Sequence, residues 1–276
     1  ALGILLFCMG TKLRLKEMPA VLKRGGLLLV AKFAIGAILG ILVGRIFGPA
    51  GILGISSMAI ICAVTNSNGS VYYALMQTYG DDIDCACMPI LAINDGPFLT
   101  LVALGASGLA DIPIMSLVAA LVPIIAGMIL GNLDNKVTEF FGPVGDAIIP
   151  FTGFSLGAGI DLANVLKGGV SGIVLGLITI FIGGGFIYLC DHFIGRRPGY
   201  AAWAVATTAG NAVAVPAVIG TADPAWAEFV GTATVQVAAS TVLSALLVPF
   251  IVSWWAKKFG CPKFPKEAKA EKASGK

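Results

Sequence analysis

Asp95 lies in the stretch ILAINDGPFLT (residues 90–100) and is the only charged residue between Cys85 and Ser107. A carboxylate so placed costs about 2.5 to 3.5 kcal/mol at the centre of a bilayer. Gly96-Pro97 follows it. The proline removes an N–H and frees the carbonyl of Ile93, one turn before it and beside the acid. Three chemistries suit this group. Asp95 pairs with Lys32, which enters its own apolar segment from the same side. Or it carries a proton or Na⁺ as the coupling group, flanked by Asn94. Or it contacts a substrate directly. Gln236, with Ser240 and Thr241, makes the last apolar segment polar at similar depth and offers further oxygen ligands to a cation.

Two other stretches place polar groups inside apolar runs: AVTNSNGSVYY (63–73) and ATTAGNAVAVPAV (206–218). In hydrocarbon, unwound backbone survives only where protein or a water-filled cavity satisfies it. Interruptions at related positions in two halves of a chain point to a transporter's binding site. Each half-helix N-terminus offers free N–H groups and a partial positive charge. Thr65, Asn66, Ser67, Asn68, Ser70, Thr207, Thr208 and Asn211 donate to a carboxylate or exchange hydrogen bonds with sugar hydroxyls. The candidate substrate is therefore an anionic polyol. The competing role is polar glue between helices. Asn68 with Asn211 favours the site; Thr65 and Ser70, taken singly, fit either role.

Other chemistry finds no support. The six cysteines are scattered, Cys85-Ala86-Cys87 is not a CxxC pair, and no metal-site spacing occurs. There is no HExxH, and no histidine lies at membrane depth, so an enzyme is not expected. The single histidine, His192, reads as a loop residue rather than a proton relay. We expect no cofactor beyond a coupling H⁺ or Na⁺, and no nucleic-acid partner.

The elements that position these residues follow from composition. The 276 residues are 57% hydrophobic and 12% charged, with mean hydropathy +0.92. Soluble domains carry about 25% charged residues, so the partner of this surface is a lipid bilayer. Long apolar runs broken by Gly and Pro indicate helices rather than a barrel. Nine segments emerge: 1–11, 26–47, 52–79, 85–107, 112–131, 145–160, 168–190, 199–221 and 226–255. With strict alternation, 15 of the 18 Lys and Arg residues fall on one side and only Arg45 and Lys167 on the other, Lys32 being inside a segment. The positive-inside rule puts the first loop and the C-terminus in the cytoplasm. Residues 259–276 read as a polar cytoplasmic tail.

Residues 23–79 match 166–222 at a constant offset of 143, pairing Ala63, Thr65 and Asn68 with Ala206, Thr208 and Asn211. Partner segments are five crossings apart, so they run in opposite directions. The expected fold is an all-α integral membrane protein with an inverted five-plus-five helix repeat, 1–107 and 108–258, and two crossed discontinuous helices. The unpaired fifth segment and the short first one imply that the first helix and part of the second are absent from this chain.

CMGTKLRL (8–15), TNSNGSVYYALMQTYGD (65–81), NDGPFLT (94–100), GNLD (131–134) and IPFTGFSLGAGIDL (149–162) resemble the bacterial 2-keto-3-deoxygluconate permease family, in order along residues 1–258. The resemblance implies proton-coupled uptake of that sugar acid across the inner membrane. It also implies the ten-helix fold of the bile acid/sodium symporter-like group, with two broken helices crossing near the substrate at the third and eighth segments. Sister groups include sodium-coupled carriers of other organic anions.

Overall fold

A computed structural model describes residues 2–12, 18–94, 97–109, 114–144, 147 and 162–265. Asp95, the sixth apolar segment except Ala147, and the tail beyond Pro265 lie outside the described residues, as does most of the IPFTGFSLGAGIDL block. Among the described residues there are helices and turns and no strands. The order is α1 (Leu2–Thr11), α2 (Met18–Phe47), α3 (Ser57–Thr65), α4 (Gly69–Tyr79), α5 (Asp82–Ala86) and α6 (Met88–Leu91). A 3₁₀ turn (Ala92–Asn94), α7 (Pro97–Ser107) and α8 (Ile114–Leu133) follow, then α9 over 135–144. Next come α10 (Leu162–Leu177), a π-helical stretch (Ile178–Gly183), α11 (Gly184–Phe193) and α12 (Tyr200–Val205). The chain closes with 3₁₀ turns at Asn211–Ala214 and Pro224–Phe229 around α13 (Val215–Ala222), and with α14 (Val230–Phe259).

Three of these stretches are long and apolar enough to cross a membrane: Pro19–Phe47, Gly169–Phe193 and Pro224–Phe259. Two segments differ from the sequence reading. The second helix begins at Met18 rather than near residue 26, drawing Lys23 and Arg24 from the expected loop into the helix. The segment 85–107 is not one rod but α5, α6, a 3₁₀ turn and α7. Pro89 and Pro97 cannot donate to a continuous helical ladder, and α7 starts on Pro97, where the missing N–H costs nothing.

Lipid gives no hydrophobic drive for helix association, so close backbone approach has to supply it. On α2, Gly36 lies directly against the backbone of Thr65, and a Cβ on Gly40 would stand 2.7 Å from the Ile61 Cβ. These positions, four residues apart, seat α3 along one face of α2. On α8, Gly127 meets the Phe7 carbonyl and Gly131 meets that of Thr11, seating α1. Thr138 of α9 donates to the Thr11 carbonyl at 2.8 Å, and Phe141 packs edge-on against Phe7. Helices α1, α8 and α9 thus form one group, joined to the rest mainly through α7 on α8. A second group consists of α2 to α7 and α10 to α14, with α10 lying along α14. Its core runs from Leu28 and Met58 through Leu104 and Val205 to Val252.

Candidate functional site

Two helices are interrupted where the polar stretches predicted it. Helix α3 ends at Thr65, and Asn66, Ser67 and Asn68 cross to α4, Asn66 and Asn68 in extended conformation. Asn68 then caps α4, its side chain accepting the Val71 N–H at 3.0 Å. That cap is one reason the chain restarts as a helix here. Helix α12 ends at Val205, and helix resumes only after Gly210 with the 3₁₀ turn and α13. Pro216 sits in the first turn of α13, where its ring is tolerated.

The two breaks touch. The Asn68 N–H donates to the Thr207 hydroxyl at 2.9 Å, and the Thr208 hydroxyl donates to the Ala63 carbonyl at 3.2 Å. Around the first break, the Thr65 and Thr100 hydroxyls share a hydrogen bond at 3.0 Å, and the Asn66 amide donates to Thr100 at 3.1 Å and to the Cys62 carbonyl at 2.8 Å. The Asn94 amide donates to the Thr65 carbonyl. Around the second, the Thr208 hydroxyl bonds that of Ser240 at 2.7 Å, the Thr208 N–H donates to Ser244 at 2.9 Å, and Thr241 donates to the Ala209 carbonyl at 3.1 Å. Nearly all these groups are buried. Three acceptor-capable oxygens at the first break nevertheless have no partner among the described residues: Asn66 Oδ1, Ser67 Oγ and Asn94 Oδ1. Buried polar atoms without partners are rare in folded proteins and need a reason.

The expected site residues therefore divide. Thr65, Asn66, Ser67, Asn68, Thr207, Thr208 and Asn94 converge. Asn211 is buried just beyond them in the 3₁₀ turn, and Ser70 is exposed on α4. Gln236 is committed elsewhere. Its amide donates to the Gly54 carbonyl (2.6 Å) and Ser171 (3.0 Å), and its oxygen accepts the Ser56 N–H (3.3 Å). It braces the far end of α3, about 13 Å from the break at 1.5 Å per helical residue. Lys32 is wholly buried on α2 and its ammonium donates to the Thr207 carbonyl at 2.8 Å. Among the described residues it pairs with no carboxylate. Sequence reasoning passed over Thr100 and Ser244, since lone hydroxyls in apolar helices carry no pattern of their own.

It also missed an ion cluster. Arg24 on α2 donates to Asp84 on α5 at 2.8 Å and to Asp191 on α11. The Tyr200 hydroxyl donates to the same Asp84 carboxylate at 2.5 Å, and the Tyr72 hydroxyl to the Asp84 carbonyl at 2.9 Å. Asp84 and Asp191 are fully buried and Arg24 is 6% exposed. Outside it, Arg197 pairs with Asp81 at 3.0 Å. Burial works against the Asp81 carboxylate, but the Asp84 N–H and the Arg197 guanidinium outweigh it and hold the carboxyl below its usual range. His192, the expected loop residue, is exposed in the last turn of α11 and stacks on Tyr188 at 5.5 Å. No disulfide and no metal-holding cluster of His, Cys, Asp or Glu occurs among the described residues.

The 2-keto-3-deoxygluconate permease family profile matches residues 1–261. A relative named 2-keto-3-deoxygluconate permease 1 from Salmonella typhimurium is 46% identical over 257 residues, covering 93% of this chain and 81% of its own length. The 2-keto-3-deoxygluconate permeases of Xanthomonas euvesicatoria pv. vesicatoria and Bacillus subtilis are 35% and 34% identical over 262 residues. Each match covers 93% of this chain, with 82% and 79% of the relatives' lengths. These relatives are permeases, carriers of solute and not enzymes. A helical, apolar chain matched over nearly its whole length in this way belongs to the 2-keto-3-deoxygluconate permease family.

Proposed function

We propose that this chain carries 2-keto-3-deoxygluconate, a sugar acid, into the cytoplasm by proton-coupled symport with alternating access. The observation that carries this reading is the meeting of two broken helices, Asn68 against Thr207, inside a nest of buried amides and hydroxyls. Such a nest supplies donors to a carboxylate and exchanges hydrogen bonds with sugar hydroxyls. An inverted five-plus-five repeat accounts for it. The 143-residue offset carries Ser57 onto Tyr200 and Tyr79 onto Ala222, the outer ends of the two broken helices. The separate packing of α1, α8 and α9 supports two bundles that rock against each other. The protein sits in the bacterial inner membrane with its C-terminus in the cytoplasm, on the balance of Lys and Arg.

Asp95 carries the coupling proton in this scheme, and the substrate carboxylate docks at the breaks. One monoanion with one proton is electroneutral, so the membrane potential contributes nothing. A gradient of one pH unit is about 1.4 kcal/mol, roughly tenfold accumulation. Uptake of labelled substrate into proteoliposomes tests this under imposed pH or sodium gradients, with wild type and Asp95→Asn. Accumulation driven by pH in the wild type, and exchange without accumulation in the variant, supports it. Normal accumulation by the variant moves the coupling group elsewhere.

A second reading, sodium coupling to an organic anion, rests on a specific observation. The unpartnered oxygens of Asn66, Ser67 and Asn94 at the first break are the hard ligands a Na⁺ ion prefers. Uptake that follows a sodium gradient at constant pH selects it.

A further inference from the structure

The carbonyls left open at the two breaks are answered by different chemistry. At the first, the carbonyl of Thr65, the last residue of α3, accepts from the neutral amide of Asn94. At the second, the carbonyl of Thr207, two residues past α12, accepts from the ammonium of Lys32 at 2.8 Å. The end of a helix concentrates negative partial charge on its unsatisfied carbonyls, a natural seat for a cation. Lys32 lies halfway along the Pro19–Phe47 stretch and is 0% exposed. Four residues on, Gly36 presses on the backbone of Thr65. One face of α2 thus touches both breaks, the first through a glycine and the second through a charge.

A neutral donor would satisfy one carbonyl at far lower cost, as Asn94 does. An ammonium in mid-membrane costs much more to bury, and ionisable residues kept there serve function. We infer that Lys32 is a tethered cation that occupies the carbonyl end of the second break, doing there what a mobile coupling cation would otherwise do. The second break then needs no metal ion in any transport state. Lys32 acts through Thr207, whose hydroxyl accepts from Asn68, and so is a positioning residue that sets how the breaks meet. The inference rests on the transport reading above and deepens it.

The test removes the tether and returns the charge. Lys32→Ala leaves space for a short alkyl chain, and propylammonium and propanol differ there chiefly in charge. In proteoliposomes holding the full chain, we expect Lys32→Ala to lose substrate exchange by about tenfold or more. Tens of millimolar propylammonium restores it and propanol does not. The thermal midpoint of purified Lys32→Ala should rise with propylammonium alone, a readout independent of transport. Equal rescue by propanol makes Lys32 a packing residue and overturns the inference. So does Lys32→Met exchanging substrate within twofold of wild type. Wild-type liposomes that exchange no 2-keto-3-deoxygluconate at all would instead sink the transport reading, while the thermal rescue still tests Lys32.

Discussion

Replacing Arg24 by methionine keeps an unbranched apolar stem and removes the cation that touches two buried carboxylates. In the wild type, Asp84 holds Arg24 through one oxygen and accepts from the Tyr200 hydroxyl and the Asp81 N–H through the other. Asp191 has Arg24 on one oxygen and, among the described residues, nothing on the other. In Arg24→Met, Asp84 keeps two donors and Asp191 keeps none. Removing one partner of a buried pair costs about 3–5 kcal/mol, because the other charge is left uncompensated. Asp84's remaining donors soften its share, and Asp191's lack of any donor sharpens the other. We expect a loss of about 4 kcal/mol, a drop of about 8–16 °C in the thermal midpoint for a chain of this size. The assay is heating of detergent-solubilised protein at neutral pH with the folded fraction read by size exclusion. The triple variant Arg24→Met, Asp84→Asn, Asp191→Asn removes all three charges and should regain more than half of the loss. An Arg24→Met protein within about 1 kcal/mol of wild type would refute the reasoning, since an exposed cluster costs no more than that. The cluster joins α2 and α5 to α11 and its neighbour α12, so its loss should also loosen the two broken helices.

Two further outcomes follow from the same geometry. Gly127→Ala drives a methyl group into the Phe7 carbonyl and should cost about 1–3 kcal/mol by overpacking, whereas Gly169→Ala, whose added Cβ meets nothing, should be neutral or slightly stabilising in the same thermal assay. The Asp81 carboxyl is held low in the folded state, so the stability it contributes is present above its unfolded value of about 3.9 and is lost as pH falls through the lower folded value. The midpoint difference between wild type and Asp81→Asn should therefore stay constant from pH 7 to about 5 and shrink towards pH 3; it should not exceed about 1 kcal/mol and should weaken in high salt. A difference that widened on acidification would reverse the sign of the argument.

The breaks were legible because lipid forbids the alternative. A run such as TNSNG or TTAGN inside an apolar segment has to lie where unwound backbone is satisfied, and both did. Asn68, expected there as a site residue, also caps α4. Gln236 was misplaced by the same kind of reasoning. Depth along a segment does not say which neighbour a side chain faces, and its amide proved to be taken up by Gly54, Ser171 and Ser56. Arg24 read as a loop charge because apolar periodicity weakens near residue 26. The helix runs eight residues further, and within it Arg24 meets two buried carboxylates.

Composition and the order of apolar segments by themselves determined that this is a helical membrane protein, and the polar runs at 65–68 and 207–211 marked where its helices open. Those are local or one-dimensional properties, fixed by the cost of exposing backbone or charge to hydrocarbon. Only the tertiary structure decided which groups meet. Arg24 finds Asp84 60 residues away and Asp191 167 residues away, and Lys32 finds the Thr207 carbonyl 175 residues away. The strength of each contact depends on burial and on a donor and acceptor within 3 Å of one another. Neither exists until α2 lies against both broken helices.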